Sequence, residues 1–224
     1  MKNKDFFKGI KVVGFDFDDT VVDGQYSVKK RWQKVLKSYN FLSPVIEKRF
    51  FDIYARKGPS YKFHLDDTLN ELKIDKKFKE EILLKLRETF KDEKLLDGVK
   101  DLLRLMKQKG LLLGIITDGK ESYQENRIRR AGIYDFFDFI FYGNAKKEKK
   151  PTSETLEKLK KYFKKISVKF PEEFLYIGNN FSNDIEGFLD LGVKTFWVTN
   201  EKKLIKIANL ITIKSLKDLW KKAF

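Results

Sequence analysis

The 224-residue sequence contains no cysteine and only one histidine, His64. Disulfides, thiolate metal sites and a cysteine nucleophile are therefore excluded. One histidine cannot build a multi-histidine metal centre, and no Gly-x-Ser-x-Gly segment accompanies it to suggest a serine hydrolase. The chemistry of the protein must come from other side chains.

Long apolar stretches are also missing. No uninterrupted apolar run approaches the length that spans a bilayer. The N-terminal residues MKNKDFFKGIK contain no apolar segment of the kind found in signal peptides. We therefore expect a soluble, cytoplasmic protein without a membrane partner.

Charge is abundant and unbalanced. Lysine and arginine number 48 against 33 aspartates and glutamates, a formal net charge of +15. Such an excess favours anionic partners, but it is also typical of the lysine-rich surfaces of heat-adapted proteins. The lysines are spread along the chain and no nucleic-acid-binding module is recognisable, so nucleic acid is not an expected partner.

Short apolar runs that alternate with helical patterns predict the fold class. The order strand, helix, strand along residues 95–224 implies parallel pairing with right-handed crossovers. We predict an α/β fold, a Rossmann-like parallel sheet core with helices on both faces. The predicted strands are 12–15, 111–116, 139–142, 174–177, 195–198 and 210–213, and the predicted helices are 97–109 with Asp97 as N-cap, 120–131, 153–165, 182–191 and 216–222.

Residues 24–94 hold no convincing strand. We predict two domains, a catalytic core of residues 1–23 and 95–224 and an inserted helical domain of residues 24–94. The insert begins just after the first strand, so we expect it to stand over the carboxyl end of that strand, where ligands bind in open α/β sheets. Its predicted helices are 27–39, 44–56, 60–72 and 76–91.

The sharpest signal is the segment FDFDDT, residues 15–20, directly after the first strand. Three carboxylates within four residues repel one another, and their proximity is costly without a cation. Because side chains alternate along an extended chain, Asp16 and Asp18 would point to the same side. Magnesium typically takes one or two such carboxylates together with waters and phosphate.

This segment resembles the first motif of the haloacid dehalogenase-like superfamily, in its phosphatase branch. The resemblance implies that Asp16 attacks phosphorus, and that Asp18 protonates the leaving alcohol and then activates water. A carboxylate can form such a covalent phospho-intermediate, and a carboxylic acid can donate the proton. Dehalogenases lack an acid at the position of Asp18, so the resemblance indicates phosphate chemistry.

The segment LGIITDG, residues 113–119, resembles the second motif of the family. It is a predicted strand that ends at Thr117, whose hydroxyl the resemblance assigns to a phosphoryl oxygen. The backbone N–H groups of Asp118 and Gly119 would complete this phosphate-binding site. Taken alone, Thr-Asp-Gly is also an ordinary strand-to-helix turn.

A lysine before a helix resembles the third motif. The run KKEKKP, residues 146–151, offers four lysines, and the family's usual Lys-Pro order favours Lys150. Its ammonium would neutralise Asp16 and the transferring phosphoryl group. A solvated run of charges is the other interpretation of the same residues.

The fourth motif departs from the family pattern. In LYIGNNFSND, residues 175–184, Asn179 stands where the family expects an aspartate, and Asp184 is kept. The resemblance implies that Mg2+ is held by Asp16, Asn179 and Asp184, and by Asp18 through its backbone carbonyl. An amide oxygen brings no charge, so we predict weaker metal binding.

In capped relatives a small helical domain of the C1 type closes over the site and recognises the leaving group. The segment RKGP, residues 56–59, and His64 lie within the insert. Arg56 and His64 are candidate substrate contacts, although a solvent-facing turn explains the same residues equally well. The phenylalanines at 50 and 51 are expected to pack the insert.

The leading hypothesis is a magnesium-dependent phosphatase that hydrolyses a small phosphorylated metabolite through an aspartyl-phosphate. A phosphomutase on the same scaffold uses the same intermediate. Asn179 and the net charge of +15 also allow a non-catalytic protein that binds anions or nucleic acid. We expect a monomer or weak homodimer, and the substrate cannot be identified from the sequence.

Overall fold

Six parallel strands form one sheet in the computed structural model. Their order across the sheet is β3-β2-β1-β4-β5-β6, and every neighbouring pair is parallel. This is the strand order of the Rossmann fold, so the predicted α/β class is confirmed. The strands are β1 Val12–Phe15, β2 Leu112–Asp118, β3 Phe139–Gly143, β4 Phe174–Gly178, β5 Lys194–Val198 and β6 Leu210–Ile213.

The structure describes residues 7–23, 28–39, 43–57, 63–75, 77–89, 94–118, 121–143, 149–200 and 207–223. The helices are α1 Val28–Lys37, α2 Ser43–Lys57, α3 His64–Glu71, α4 Lys77–Glu88, α5 Val99–Gln108, α6 Glu121–Arg130, α7 Ser153–Lys165, α8 Glu186–Asp190 and α9 Leu216–Ala223. A 3-10 turn at Tyr134–Phe136 and a π-helical turn at Phe181–Ile185 complete the elements. Among the residues described, no helix is long and apolar enough to cross a lipid bilayer.

Both faces of the sheet are buried, which explains why its strands are apolar at successive positions. On one face, Val13 and Phe15 of β1 share a core with side chains of α5 and α9, including Leu102 and Leu219. On the other face, Val12 packs with aromatic side chains of β4, α7 and α8. These aromatic residues are Phe163, Phe174, Tyr176 and Phe188.

The chain divides into two compact units, Met1–Gly24 with Lys94–Phe224, and Gln25–Glu93. The first unit contains the sheet and helices α5 to α9. The second contains α1 to α4 and has its own apolar core. Within that core Phe50 is fully buried, as expected for a packing residue.

The start of α5 differs from the sequence prediction. Gly98, not Asp97, is the N-cap residue, with a φ of 77° in the left-handed region that glycine adopts most readily. The Asp97 carboxylate instead accepts a hydrogen bond from Lys217 at 2.9 Å. The predicted cap at Asp97 is therefore wrong by one residue, because a glycine turn and not a side chain begins the helix.

The single helix predicted over residues 182–191 is two elements. A π-helical turn covers Phe181–Ile185, and the α-helix α8 follows from Glu186. The Asn180 side chain accepts a hydrogen bond from the backbone N–H of Asn183 at 3.1 Å and caps the turn. π-Helical turns are frequent at functional sites, and this one carries Asp184.

Candidate active site

Asp16 continues the backbone ladder of β1 by one residue. Its N–H donates to the carbonyl of Ile177 in β4 at 2.8 Å, so the sheet fixes the direction of its side chain. The chain then turns at Asp19, whose φ of 58° lies in the left-handed region that aspartate tolerates. Asp16 and Asp18 are thereby held between the end of β1 and this turn, at the carboxyl edge of the sheet.

Lys150 is the cation that gathers the acidic residues of this edge. Its side chain is 4% exposed, and its Nζ donates to Oδ1 of Asp16 and, at 3.0 Å, to Oδ1 of Asp184. Nζ also lies 3.5 Å from Oδ2 of Asp118. The residue chosen from the run of lysines thus lies among three carboxylates that come from different parts of the chain.

The burial of this cluster changes its protonation. Burial raises the pKa of Asp16 from 3.8 to about 8, opposed by the Lys150 ammonium and reinforced by Asp184 and Asp18. Burial alone would lower the pKa of Lys150, but the carboxylates around it raise that pKa well above its usual range. Asp16 is 4% exposed, so a further cation beside it would favour its ionised form.

Thr20 connects Asp16 to the position where the sequence departs from the family pattern. Its hydroxyl lies 3.3 Å from Oδ2 of Asp16 and 3.3 Å from Oδ1 of Asn179. The backbone carbonyl of Asn179 accepts a hydrogen bond from Trp197 at 2.9 Å. The Thr20 hydroxyl therefore lies at the same distance from a carboxylate oxygen of Asp16 and from the amide oxygen of Asn179.

Asp184 is positioned by the π-helical turn. Its Oδ2 accepts the backbone N–H of Asn180 at 2.9 Å. Gly178 at the end of β4 makes room for it, because a Cβ at Gly178 would lie only 2.6 Å from the Cβ of Asp184. Asn183 donates to Oδ2 of Asp118 at 3.0 Å, which ties this turn to the end of β2.

Thr117 and Asp118 lie at the carboxyl end of β2, as the sequence predicts. Thr117 is buried, and its hydroxyl oxygen accepts a hydrogen bond from Gln124 of α6 at 3.0 Å. Oδ1 of Asp118 is buried and has no hydrogen-bond partner among the residues described. Gly119, the third predicted phosphate ligand, lies outside the described residues.

Asp18 makes contacts that the sequence interpretation missed. Arg127 of α6 binds it through both guanidinium nitrogens, from NH2 to Oδ1 at 2.5 Å and from NH1 to Oδ2 at 3.0 Å. Gln124 adds a hydrogen bond to Oδ2 at 3.2 Å. Burial would raise the pKa of Asp18, but the Arg127 and Gln124 contacts outweigh it and hold that pKa below its usual range.

A signal for this pair was present in the sequence. Gln124, Arg127 and Ile128 share the buried face of α6, where a helix packed on a sheet would normally carry apolar side chains. Polar residues at such inward positions need buried partners. The helix follows Thr117 directly, so those partners had to be near the carboxyl edge.

The oxygens at this edge fit a hard divalent cation. Asp16 and Asp184 supply carboxylates and Asn179 an amide oxygen, the ligand types that magnesium prefers. The described residues contain no cluster of three or more His, Cys, Asp or Glu side chains arranged for a metal, and the set predicted here has two carboxylates and an amide. The carboxylate of Asp18 is engaged by Arg127, which leaves its backbone carbonyl as the predicted ligand.

The predicted substrate contacts of the insert belong to the helical unit. Arg56 lies in the last turn of α2, where its Nε donates to the carbonyl of Asp52 at 3.4 Å. His64 begins α3 and is buried against the rings of Tyr54 and Phe50, at centroid distances of 4.9 and 5.6 Å. Of the segment 56–59, Gly58 and Pro59 lie outside the described residues. Substrate contact by Arg56 and His64 stays a prediction.

Comparison with known proteins places the chain in a family. Residues 13–198 match the model of the haloacid dehalogenase-like hydrolases, a span that contains Asp16, Thr117, Lys150 and Asp184. The chain belongs to the haloacid dehalogenase-like hydrolase family. The resemblance predicted from the segment after β1 is thereby confirmed.

Relatives within the family include named phosphatases. Over 204 residues the chain is 28% identical to a glyceraldehyde 3-phosphate phosphatase of Pyrococcus furiosus, covering 84% of this chain and 80% of the relative. It is 24% identical over 200 residues to a phosphoglycolate phosphatase of Vibrio vulnificus, covering 85% and 84%. The crystal structure of the putative HAD-hydrolase YfnB of Bacillus subtilis, described as bound to magnesium, has a TM-score of 0.69 at 22% identity over 96% of this chain and 98% of that one.

Proposed function

We propose that this family member is a magnesium-dependent phosphatase that hydrolyses a small phosphorylated metabolite through an aspartyl-phosphate on Asp16. The observation that carries the proposal is the buried contact of Asp16 with Lys150 and, through that lysine, with Asp184. The Lys150 ammonium is fixed beside this buried carboxylate, and its positive charge would attract an anionic phosphate ester to Asp16. The phosphatase names of the relatives support the reaction class.

In the first half-reaction, a carboxylate oxygen of Asp16 attacks phosphorus in line with the leaving group. The new bond joins that oxygen to phosphorus, the bond from phosphorus to the alcohol oxygen breaks, and its electron pair stays on the alcohol. The negative charge of the bound ester favours the protonated form of Asp18, and Asp18 gives its proton to that oxygen. The Lys150 ammonium and the Thr117 hydroxyl bind the phosphoryl oxygens while their charge is redistributed.

In the second half-reaction, water attacks the phosphorus of the aspartyl-phosphate. Asp18 takes a proton from the water, the bond from phosphorus to Asp16 breaks, and inorganic phosphate leaves. Asp16 is restored as a carboxylate. The contacts of Asp18 with Arg127 favour the carboxylate form that this step requires.

Magnesium, when bound, would supply positive charge that offsets the phosphoryl oxygens and the carboxylates. Asp16, Asp184, the Asn179 amide oxygen and the Asp18 carbonyl would hold it. Since Asn179 replaces a charged ligand, we expect weaker binding of the cation than in relatives with aspartate there.

The test is phosphate release by the wild-type protein and by Asp16→Asn. The substrates are glyceraldehyde 3-phosphate and phosphoglycolate, suggested by the relatives' names, together with p-nitrophenyl phosphate. We expect magnesium-dependent release by the wild type and a loss of about 10⁴-fold or more in the variant. The control is Asp190→Asn, which changes an exposed carboxylate on α8 and should retain full activity.

A mass spectrum of the peptide that contains Asp16, taken after acid quench, should show one added phosphoryl group in the wild type. Undiminished turnover by a folded Asp16→Asn variant contradicts the proposal. Analysis of the products separates the phosphomutase alternative, because a mutase returns an isomeric ester and releases no inorganic phosphate.

A further inference from the structure

Arg127 is a buried cation whose described ion pair is with Asp18. Arg127 is 6% exposed, and its guanidinium lies 4.9 Å from the ring of Phe17. Phe17 precedes Asp18 directly, so the guanidinium packs on one residue and forms its two-nitrogen contact with the next. A planar guanidinium fork fixes the orientation of a carboxylate in a way that a single ammonium cannot.

Gln124 joins this pair to the predicted phosphate-binding segment. Its Oε1 accepts from NH1 of Arg127 at 2.6 Å, which defines the orientation of the amide. Its Nε2 lies 2.9 Å from the carbonyl of Asp118, 3.0 Å from Oγ1 of Thr117 and 3.2 Å from Oδ2 of Asp18. One side chain thereby ties the predicted acid/base to the residues that would hold the phosphoryl group.

The contacts leave one carboxylate position open. A carboxylate offers about four lone pairs. The described contacts of Asp18 use two on Oδ2, through Arg127 and Gln124, and one on Oδ1, through Arg127. The side chain is still 43% exposed. The remaining lone pair on Oδ1 is therefore the position from which Asp18 can exchange a proton with a bound ester or water.

We propose that Arg127 and Gln124 are positioning residues that hold Asp18 with Oδ1 available for proton transfer at the ester oxygen. The inference rests on the proposed function, because it assigns to these residues a task in that reaction. Both residues act through the Asp18 carboxylate and transfer no proton themselves. Arg127 fixes the plane of the carboxylate, and Gln124 fixes its place relative to Thr117.

Substrates with different leaving groups distinguish two roles for Arg127 and Gln124: positioning Asp18 for proton transfer, or only stabilising the fold. An alkyl phosphate leaves as a strongly basic alkoxide and needs a proton, whereas p-nitrophenolate leaves without one. Since kcat/KM includes only the steps up to release of the alcohol, it reports proton donation by Asp18 and not the later hydrolysis. Loss of correct positioning should therefore lower kcat/KM for alkyl esters selectively.

The experiment measures kcat/KM of Arg127→Met for p-nitrophenyl phosphate and for the better of glyceraldehyde 3-phosphate and phosphoglycolate. For the alkyl ester we expect a loss of about 10²-fold, the lower end of what a positioned acid contributes. For the aryl ester we expect a loss below about tenfold. The matched control is Arg129→Met, which removes an arginine of the same helix that pairs with Glu125 on the surface and should leave both values unchanged.

Two further variants guard against misfolding of Arg127→Met. Arg127→Lys keeps the charge but loses the fork, and Gln124→Met keeps the volume but loses the hydrogen bonds. Both should show the same selective loss to a smaller degree, with circular dichroism spectra like that of the wild type. An unchanged ratio of alkyl to aryl kcat/KM in the folded variants overturns the inference.

The inference can fail separately from the proposed function. Wild-type turnover that Asp16→Asn abolishes, together with an unchanged ratio in the folded variants, overturns only the role of Arg127 and Gln124. A wild-type protein that releases phosphate from no ester overturns both.

Discussion

Asp16 occupies a position where a carboxylate is costly to keep ionised. It is buried, it is close to Asp184 and Asp18, and the Lys150 ammonium only partly offsets their effect, so that its pKa is raised to about 8. This burial therefore makes the folded protein bind a proton tightly, whereas the proposed attack on phosphorus requires the ionised carboxylate. This opposition can be measured as a dependence of stability on pH.

The first residue-scale prediction concerns metal-free protein. A carboxyl group whose pKa is higher in the folded state than in the unfolded state stabilises the fold when it is protonated. This stabilisation is complete at pH values below the unfolded pKa of 3.8 and is lost as the pH rises to about 8. Asp16→Asn removes the titrating group. In buffer with a chelator, the melting temperature of this variant relative to the wild type should therefore rise between about pH 5 and about pH 8.

Magnesium should reverse this loss, because the cation competes with the proton for Asp16. The rise in melting temperature on adding Mg2+ should be larger at about pH 8 than at about pH 6. It should be much smaller in Asp16→Asn. A magnesium effect that is the same at both pH values, or the same in the two proteins, would contradict the prediction.

At the scale of single residues, the sequence identifies functional residues that belong to one short motif. It misses residues that are far apart in the chain and come into contact only in the folded protein. The alternation of Asp16 and Asp18 after an apolar strand is visible in six consecutive letters. Arg127 lies 109 positions from Asp18, and its role depends on which face of α6 turns inward. The inward polar positions of α6 indicate that a buried partner exists, but only the packing of the helix on the sheet determines that this partner is Asp18.

Among the elements, α8 is placed by a glycine. A Cβ at Gly187 would lie 2.3 Å from the backbone carbonyl oxygen of Lys150, so only glycine lets this helix approach so closely. The backbone N–H of Lys150 also donates to the carbonyl of Asn183 at 2.8 Å. The segment that carries Lys150 is thereby held between the π-helical turn and α8.

We predict that Gly187→Ala lowers kcat by about 10²-fold, because a shift of about 1 Å in the Lys150 backbone moves the ammonium away from Asp16. Circular dichroism should show that the fold is retained. Asp190→Ala, an exposed change on the same helix, should leave kcat unaffected. Full activity of a folded Gly187→Ala variant would show that Lys150 tolerates the displacement.

Hydrophobic periodicity predicts the presence of each helix and strand more reliably than it predicts the residues at which they begin and end. Each predicted strand of the core corresponds to an observed strand within two residues at either end, because buried parallel strands are marked by uninterrupted apolar runs. The Gly98 N-cap of α5 and the π-helical turn before α8 were not predicted. Both depend on backbone conformations that side-chain periodicity does not report.

On the scale of the whole molecule, the two units have separate apolar cores. In the helical unit, Phe50 is 0% exposed and its ring lies 4.3 Å from that of Trp32 and 5.6 Å from that of His64. A unit with its own core can unfold in its own transition. The sequence predicts the division itself from the change between strand patterns and helical patterns.

We predict that Phe50→Ala destabilises the helical unit by about 3–5 kcal/mol and leaves the unfolding of the sheet-containing unit unchanged. Differential scanning calorimetry should resolve one transition that moves to lower temperature and one that does not. Leu84→Ala, which truncates an exposed side chain of the same unit, is the control and should move neither. A single transition that moves as a whole would mean that the two units unfold together.

The substitution at Asn179 has a consequence for the formal charge of the site. The ion pairs described above connect four carboxylates, those of Asp16, Asp18, Asp118 and Asp184, with two cations, Lys150 and Arg127. Fully ionised, these groups carry two negative charges, which one divalent ion cancels. An aspartate at position 179 would leave a residual negative charge, so under the proposed function the asparagine would let a phosphate dianion approach a site without net charge.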